Sequence, residues 1–421
     1  MMKQYANIVV RYRWIFLVLM LAAVILSGMG AKNLHFNNDY RIFFSPDDPH
    51  LKAFENLQDT YTKNDNALMV LAPKDGNVFT TKTLAAIEDI TEKAWKTPYS
   101  IRVDSLANYQ HSEAIEDDMS VGNLYEEANN LSDEDLSRIK KIAVNEPLLI
   151  HRIISEKAHV TAVNVTVELP KMIPDGKGGQ MAADPTKQIT EIVTSVRELK
   201  EYINKTYPDI KVYLSGIVMM NNAFGEATIY DMSHLLPLAL LLILITVFFL
   251  LRSISATITT MVMIIFSVAT AFGLAGWLGI ELSSPVMSAP IIIMTLAVAD
   301  CIHILSTWIT EMRAGKDKKS AMRESLRVNF MPVFLTSVTT AIGFLSLNTS
   351  DAPPFRDLGN VAAIGVIAAF FFSIFLLPAL ATIVPVKVKQ RETRTLKFMS
   401  TFADWVIRNQ KVLLISMSII A

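Results

Sequence analysis

Six long apolar runs and one long polar stretch divide the chain. Trp14 to Gly30, Leu235 to Leu251, Ile254 to Leu278, Pro285 to Ile309, Met331 to Leu347 and Val361 to Val384 are the apolar runs. Each is near the ~20 residues that a helix needs to cross the hydrocarbon of a bilayer. Short polar joints separate the last five, which predicts one early span and a clustered bundle of five over residues 231–384.

Between the first and second runs the pattern changes. NALMVLAP from Asn66, Ile101 to Leu106, His159 to Leu169 and Lys211 to Ser215 read as strands, and Thr80 to Trp95 and Thr186 to Tyr207 repeat at helical spacing. The order βαββαβ predicts a split βαβ, ferredoxin-like layer of sheet and helices. Tyr109 to Lys157 is read as a helical insertion, with Ser132 and Asp135 spaced as a capping box. Asp48 and Pro49 mark another helix start.

The first run, behind Lys3, Arg11 and Arg13, fits a signal peptide or a first span. YANIVVRYRWIFLVLMLAAV from Tyr5 aligns with FADWVIRNQKVLLISMSIIA from Phe402, matching Ala6 to Ala403, Val9 to Val406, Arg11 to Arg408 and Met20 to Met417. A copy so late in a chain is no signal peptide, so both are read as spans. The second opens a further repeat that the chain, stopping at Ala421, looks too short to complete.

Composition sharpens this division. At 51% hydrophobic and 19% charged, the chain is too apolar for an ordinary soluble protein and too charged to lie in the bilayer throughout. Its net charge of −1 averages unlike regions and gives no nucleic-acid footprint. The single Cys301 lies in a span, so there is no disulfide framework.

Arg313, Lys316, Lys318, Lys319, Arg323 and Arg327 fill one joint, and Lys387, Lys389, Arg391, Arg394 and Lys397 follow the last run. The alternate joints carry Glu281, Asp351 and Asp357. Positive residues stay on the cytoplasmic side, which assigns 1–13 as a cytoplasmic N-terminus, 14–30 as the first span and 31–230 as an extracytoplasmic domain. It assigns 231–384 as the five-helix bundle, 385–410 as a cytoplasmic linker and 411–421 as the start of a seventh span. Trp14 and Trp308 then fall at the inner interface and Trp277 at the outer one.

The candidate chemistry is concentrated in LAVADCIHIL, Leu296 to Leu305. A carboxylate near the middle of a spanning helix costs roughly 2.5–3.5 kcal/mol to insert and usually faces a bundle interior or an aqueous path. Asp300, His303 and Thr307 recur at three- and four-residue steps, predicting one polar stripe. Low dielectric disfavours the charged carboxylate, so Asp300 is a candidate proton carrier, against the alternative of a neutral structural acid. His303 is read either as a proton relay or as a polar residue reaching interfacial water.

Thr336, Ser337, Thr339 and Thr340 either line the same seam, with Thr307, Thr336 and Thr340 as its candidates, or bond back to their own helix. Ala269 with Gly273, and Gly365 with Ala369, have the spacing of close helix packing. PDGKGGQ from Pro174 lacks the order of a phosphate loop. No HExxH, ligand-spaced histidines or serine-nucleophile motif occurs, so no metal, cofactor or enzymatic activity is expected.

One span, a large polar domain, five clustered spans and a restart of the pattern resemble the first half of a resistance-nodulation-division (RND) transporter. VADCIHIL from Val298 resembles the acidic fourth-helix motif of the MMPL branch, hydrophobic-compound exporters related to sterol-sensing-domain proteins. MPVFLTSVTTAIGFLSLNTSDAPPFRDLGNVAAIGVIAAFFFSIFLLPAL from Met331 resembles that branch's fifth and sixth helices. The resemblance implies an inner-membrane, proton-driven exporter of lipids or other amphiphiles, with a porter-like extracytoplasmic domain. It implies Asp300 as the proton-translocating acid and His303 at a position where relatives also carry histidine. The drug-efflux branch has paired aspartates where this chain has Ala299 and Asp300.

Expected partners are protons, membrane lipids or hydrophobic small molecules, and a homo-oligomer, dimer or trimer, with room for periplasmic partners. The alternatives are a non-transporting sterol-sensing-type lipid sensor or scaffold, and a SecD/SecF-like protein-export accessory. An intramembrane aspartyl hydrolase would need two acids where one is evident.

Overall fold

The computed structural model describes residues 2–61, 63, 65–115, 118–170, 172–174, 180–182, 185–386 and 394–420. The basic residues Lys387, Lys389 and Arg391 and most of the glycine-rich stretch, 175–179, lie outside the described residues. In order the elements are α1 (Met2–Arg11), α2 (Arg13–Gly28), α3 (Pro49–Thr60), β1 (Asn66–Pro73), α4 (Thr81–Ala94), β2 (Ser100–Asp104), β3 (Gln110–Ile115) and β4 (Asp118–Asn123). There follow α5 (Asp133–Ala143), β5 (Thr161–Val167), β6 (Met172–Pro174), β7 (Gln180–Ala182), α6 (Pro185–Thr206), β8 (Ile210–Ser215) and α7 (Ile217–Tyr230). The last group is α8 (Leu236–Leu251), α9 (Ile254–Trp277), α10 (Ala289–Arg313), α11 (Lys318–Leu345), α12 (Pro353–Phe371), α13 (Leu377–Ile383), α14 (Arg394–Arg408) and α15 (Gln410–Ile420).

The chain divides into two compact units. One holds residues 1–36, 232–350 and 354–421, and the other holds 37–231 with 351–353. Six helical stretches among the described residues are long and apolar enough to cross a membrane: Arg13–Asn33, Ile217–Leu251, Ile254–Trp277, Val286–Arg313, Lys318–Thr349 and Pro353–Ile383. Each contains one of the six apolar runs or most of it. The second is longer than its run because α7 and a π-helical segment, Asp231–Leu235, precede α8.

In the sheet unit the four expected strands form one sheet in the order β2-β5-β1-β8, every neighbour antiparallel. Alternation in β1 sends Ala67, Met69 and Leu71 into a core shared with Leu84, Ile87 and Ile90 of α4 and Ile192, Val196 and Ile203 of α6. Asp48 caps α3, with Pro49 in its first turn, and Ser132 and Asp135 form the expected capping box. The insertion is not purely helical, because it opens with the antiparallel hairpin β3–β4 before α5.

A carboxylate ties α4 to the end of α6. The hydroxyls of Tyr202 and Tyr207 each donate to Asp89 Oδ2 at 3.0 Å, and Lys93 pairs with the same carboxylate. Burial pushes the Asp89 carboxyl up, but hydrogen bonds from Lys93, Tyr202 and Tyr207 outweigh it and hold the group below the usual range. A lowered folded value means stabilisation that is present above the ordinary carboxylate range and lost as pH falls through the folded value. Burial, followed by the bond to Asp89, pushes Tyr207 up to about 12, so its contribution fades as pH rises from the ordinary phenol value towards that limit. Asp89→Asn is expected to cost about 1 kcal/mol after allowance for its partial exposure, and to flatten the acid limb of a plot of thermal midpoint against pH. An unchanged acid limb would argue against this tie.

In the membrane unit α1 is a separate amphipathic helix. Tyr5, Ala6, Val9 and Val10 recur at helical spacing, and the last three are buried against the bundle. The helix breaks at Tyr12, and α14 breaks from α15 at Asn409. The alignment of Tyr5 with Phe402 places Tyr12 opposite Asn409, so the sequence repeat carries a repeated helix break.

Tyr5 also repairs the bundle. A π-helical segment, Phe372–Leu376, leads into α13, and Pro378 has no N–H to offer the carbonyl of Ile374 four residues earlier. The Tyr5 hydroxyl donates to that oxygen at 2.7 Å. Tyr5→Phe strands the carbonyl, and the expected loss is about 1–2 kcal/mol in SDS-induced unfolding. A neutral substitution would mean that another donor takes Tyr5's place.

Trp308 is no interfacial anchor. It is fully buried within the bundle, and its Nε1–H donates to the Lys318 carbonyl at 3.1 Å, joining the end of α10 to the start of α11. Trp14 and Trp277 are both more than half exposed. The joint that holds the basic cluster is also shorter than its polar residues imply. Gly315, at φ +94°, ends α10, and Asp317 caps α11 by accepting from the N–H groups of Lys319 and Ser320. Lys318, Lys319, Arg323 and Arg327 therefore stand on the first turns of a helix.

Candidate functional site

The site is the crossing of α10 and α11. Pro290 sits in the first turn of α10, where its missing N–H is harmless, and no glycine interrupts the helix before Arg313. Buried residues recur on α11 at steps of four: Ser325, Asn329, Val333, Ser337 and Ala341. Three of the five carry hydrogen-bonding side chains.

Asp300 faces this stripe and is 7% exposed. The Ser337 hydroxyl donates to its Oδ2 at 3.4 Å, and no cation lies within ion-pair distance among the described residues. Nearer the end of α10, Asn329 Nδ2 donates to Thr307 Oγ1 and to the Ser325 carbonyl, both at 2.9 Å. The Ser325 hydroxyl donates to the Ile304 carbonyl at 2.6 Å. A single carboxyl thus meets one hydroxyl, and a separate set of amide and hydroxyl bonds holds the two helices in register beside it.

The predicted residues divide accordingly. Asp300 and Thr307 face α11, with the intervening Ile304 buried between them. His303 is exposed at the edge of this face, and no hydrogen bond joins its ring to Asp300 among the described residues. Thr336 is exposed and donates to the carbonyls of Pro332 and Val333 in its own helix, while Thr340 is half-buried. Ser337, from the same hydroxyl run, reaches the carboxylate. Ser325 and Asn329 were missed because they lie where the basic joint runs into the fifth span, and the four-residue repeat through Ser337 was the signal that reveals them.

What the crossing can do chemically is narrow. It holds one acid out of water beside a neutral donor, with no cation paired to it among the described residues. Such a group is suited to taking up and giving back a proton, and the two states place different demands on the packing around it.

Comparison with known proteins bears on what surrounds this acid. The chain is 22% identical over 391 residues to a Methanocaldococcus jannaschii protein whose name gives a membrane location and no activity. The matched region is 91% of this chain and 93% of the relative. Residues 43–409, which include α10, α11 and every strand of the sheet unit but not α1 and α2, match the MMPL family pattern. This is a membrane protein, and it belongs to the MMPL family.

Proposed function

We propose that the protein is an RND-type permease of the inner membrane that exports lipids or other amphiphiles and is driven by proton entry through Asp300. The observation that carries this reading is the buried, cation-free carboxyl against Ser337 in a chain of this family. A proton crossing 100 mV releases about 2.3 kcal/mol, which suffices for roughly fiftyfold accumulation of a neutral substrate per proton. Protonation removes a charge from the α10–α11 crossing and biases the bundle between two packings, which is the basis of alternating access. No metal or organic cofactor enters this scheme.

On the same reading the N-terminus is cytoplasmic, residues 37–231 form a porter-like extracytoplasmic domain of the ferredoxin-like type, and the working unit is a homo-oligomer. The sheet order β2-β5-β1-β8 with α4 and α6 on one face supports the ferredoxin-like assignment. His303, at the edge of the Asp300 face, is the proposed route for protons to and from the bundle surface.

The test is proton uptake by liposomes carrying the full chain, with an imposed pH gradient and native lipid extract as substrate. Uptake that rises with substrate supports the permease. Bound lipid with no uptake, from protein shown to be folded and oriented, would replace this reading with a non-transporting lipid sensor.

A further inference from the structure

The sheet unit contains a cleft whose chemistry is separate from the Asp300 crossing. Leu68 and Val70 point from β1 to the sheet face opposite α4 and α6, and Val70 pairs in register with Ala162 of β5. Side chains from 151–162 stand beside this face and, with Leu68 and Val70, line an open cleft of about 520 Å³. That volume lies within the ~300–1,000 Å³ of small-ligand sites. Its floor is apolar, formed by Leu68, Val70, Val160 and Ala162.

The loop that lines it is tightly built. The N–H of His151 donates to the Ile154 carbonyl at 2.9 Å, that of Ser155 to Val160 at 3.1 Å and that of Ala162 to Ile153 at 2.8 Å. The Thr161 hydroxyl also donates to Ile153, at 2.9 Å. Two residues that are not glycine, His151 at φ +63° and Ala158 at φ +55°, are held in the left-handed region. Such conformations persist where surrounding bonds over-determine them, and they cluster at ligand sites.

The rim of the cleft is cationic. Arg152 and Lys157 line it, and neither makes an ion pair among the described residues. The single acid of the lining, Glu156, stands 3.4 Å from His151 Nε2. The Ser155 hydroxyl and His159 Nδ1 are 3.1 Å apart, so that imidazole is held beside the same opening.

We propose that this cleft binds an anionic amphiphile, its alkyl chain on Leu68, Val70 and Val160 and its carboxylate or phosphate head group at Arg152 and Lys157. An apolar floor alone would accept any hydrophobic molecule, and cations alone would accept any anion. Their adjacency across one small cleft selects a molecule that has both parts. Binding here does not depend on proton coupling at Asp300.

Photolabelling tests the proposal, with the full chain in phosphatidylcholine nanodiscs and palmitate carrying a diazirine on its chain. Labelled peptides are expected from 149–162 and from β1. Arg152→Gln with Lys157→Gln, both surface changes, is expected to lower labelling at least tenfold without moving the thermal midpoint. Unlabelled palmitate or lysophosphatidate should compete and hexadecanol should not. Whichever of the two competes more strongly identifies a carboxylate or a phosphate head group as the source of the charge. Labelling confined to the spanning helices, equal competition by hexadecanol, or full labelling of the double variant would overturn the proposal. Asp300→Asn is expected to leave labelling unchanged, so failure of the export reading and failure of this site register separately.

Discussion

Asp300→Asn is expected to reduce substrate-dependent proton uptake by at least about 100-fold, a loss of roughly 2.7 kcal/mol in transition-state terms, while leaving the folded protein intact. The amide has the size of the carboxyl, and its oxygen can accept the bond that the Ser337 hydroxyl makes at 3.4 Å, so the α10–α11 crossing keeps its geometry. The amide cannot take up a proton at any working pH. A structural role for Asp300 predicts the reverse pattern, an unfolding midpoint that shifts with little effect on flux. Ser337→Ala removes one neutral hydrogen bond and is expected to slow uptake about two- to tenfold, following the ~0.5–1.5 kcal/mol of such a bond. His303→Asn tests the proposed route at the exposed edge position: loss of the ring is expected to slow uptake about tenfold, roughly 1.4 kcal/mol, whereas a change under about threefold would take His303 off the route. The comparison of the three variants, in one preparation with flux and unfolding measured side by side, decides the matter. An Asp300→Asn protein that carries protons as fast as the wild type would end the proposed route.

Why Asp300 was legible from the sequence and Asn329 was not is a question of contrast. An acid inside an apolar run stands out because water and hydrocarbon treat it so differently. An amide just after a cluster of lysines and arginines looks solvated, and only the continuation of α11 back to Lys318 puts Asn329 inside the bundle. The same contrast explains the sheet unit. Asn66–Pro73 alternates cleanly, so its bounds follow from the pattern, and β5 alternates Val163, Val165 and Val167 with Ala162, Asn164 and Thr166. The hairpin strands Gln110–Ile115 and Asp118–Asn123 carry only two apolar residues each, too few to mark them, and they pair with each other outside the main sheet. Helix α1 had the signal in Tyr5, Ala6, Val9 and Val10, but it merges with the apolar run that follows and shows as a separate element only through the break at Tyr12.

Gly273→Ala is expected to destabilise the bundle by about 3 kcal/mol, the upper end of what overpacking usually costs, although the same change in an open helix position is stabilising. A methyl at Gly273 would stand 2.1 Å from the Ser27 carbonyl oxygen and 2.8 Å from the Gly28 nitrogen, backbone atoms of α2 that no rotamer change can move. The approach is sustained over a full turn. A Cβ at Gly276 would lie 2.1 Å from the Gly30 carbonyl oxygen, and one at Gly30 would lie 2.1 Å from that of Gly273. Trp277 Nε1 donates to the Leu26 carbonyl at 3.1 Å, so any separation of the helices to admit the methyl also strains this bond. Against these terms stands the helix propensity gained by replacing glycine, about 1 kcal/mol, which is too small to reverse the sign. Gly343 in α11 is the control, because a Cβ there meets nothing within 4 Å and the propensity gain is unopposed. Measured as midpoints of SDS-induced unfolding, Gly273→Ala should fall below the wild type and Gly343→Ala should equal or exceed it. If both variants moved in the same direction, backbone contact between α2 and α9 would not be what holds these helices together.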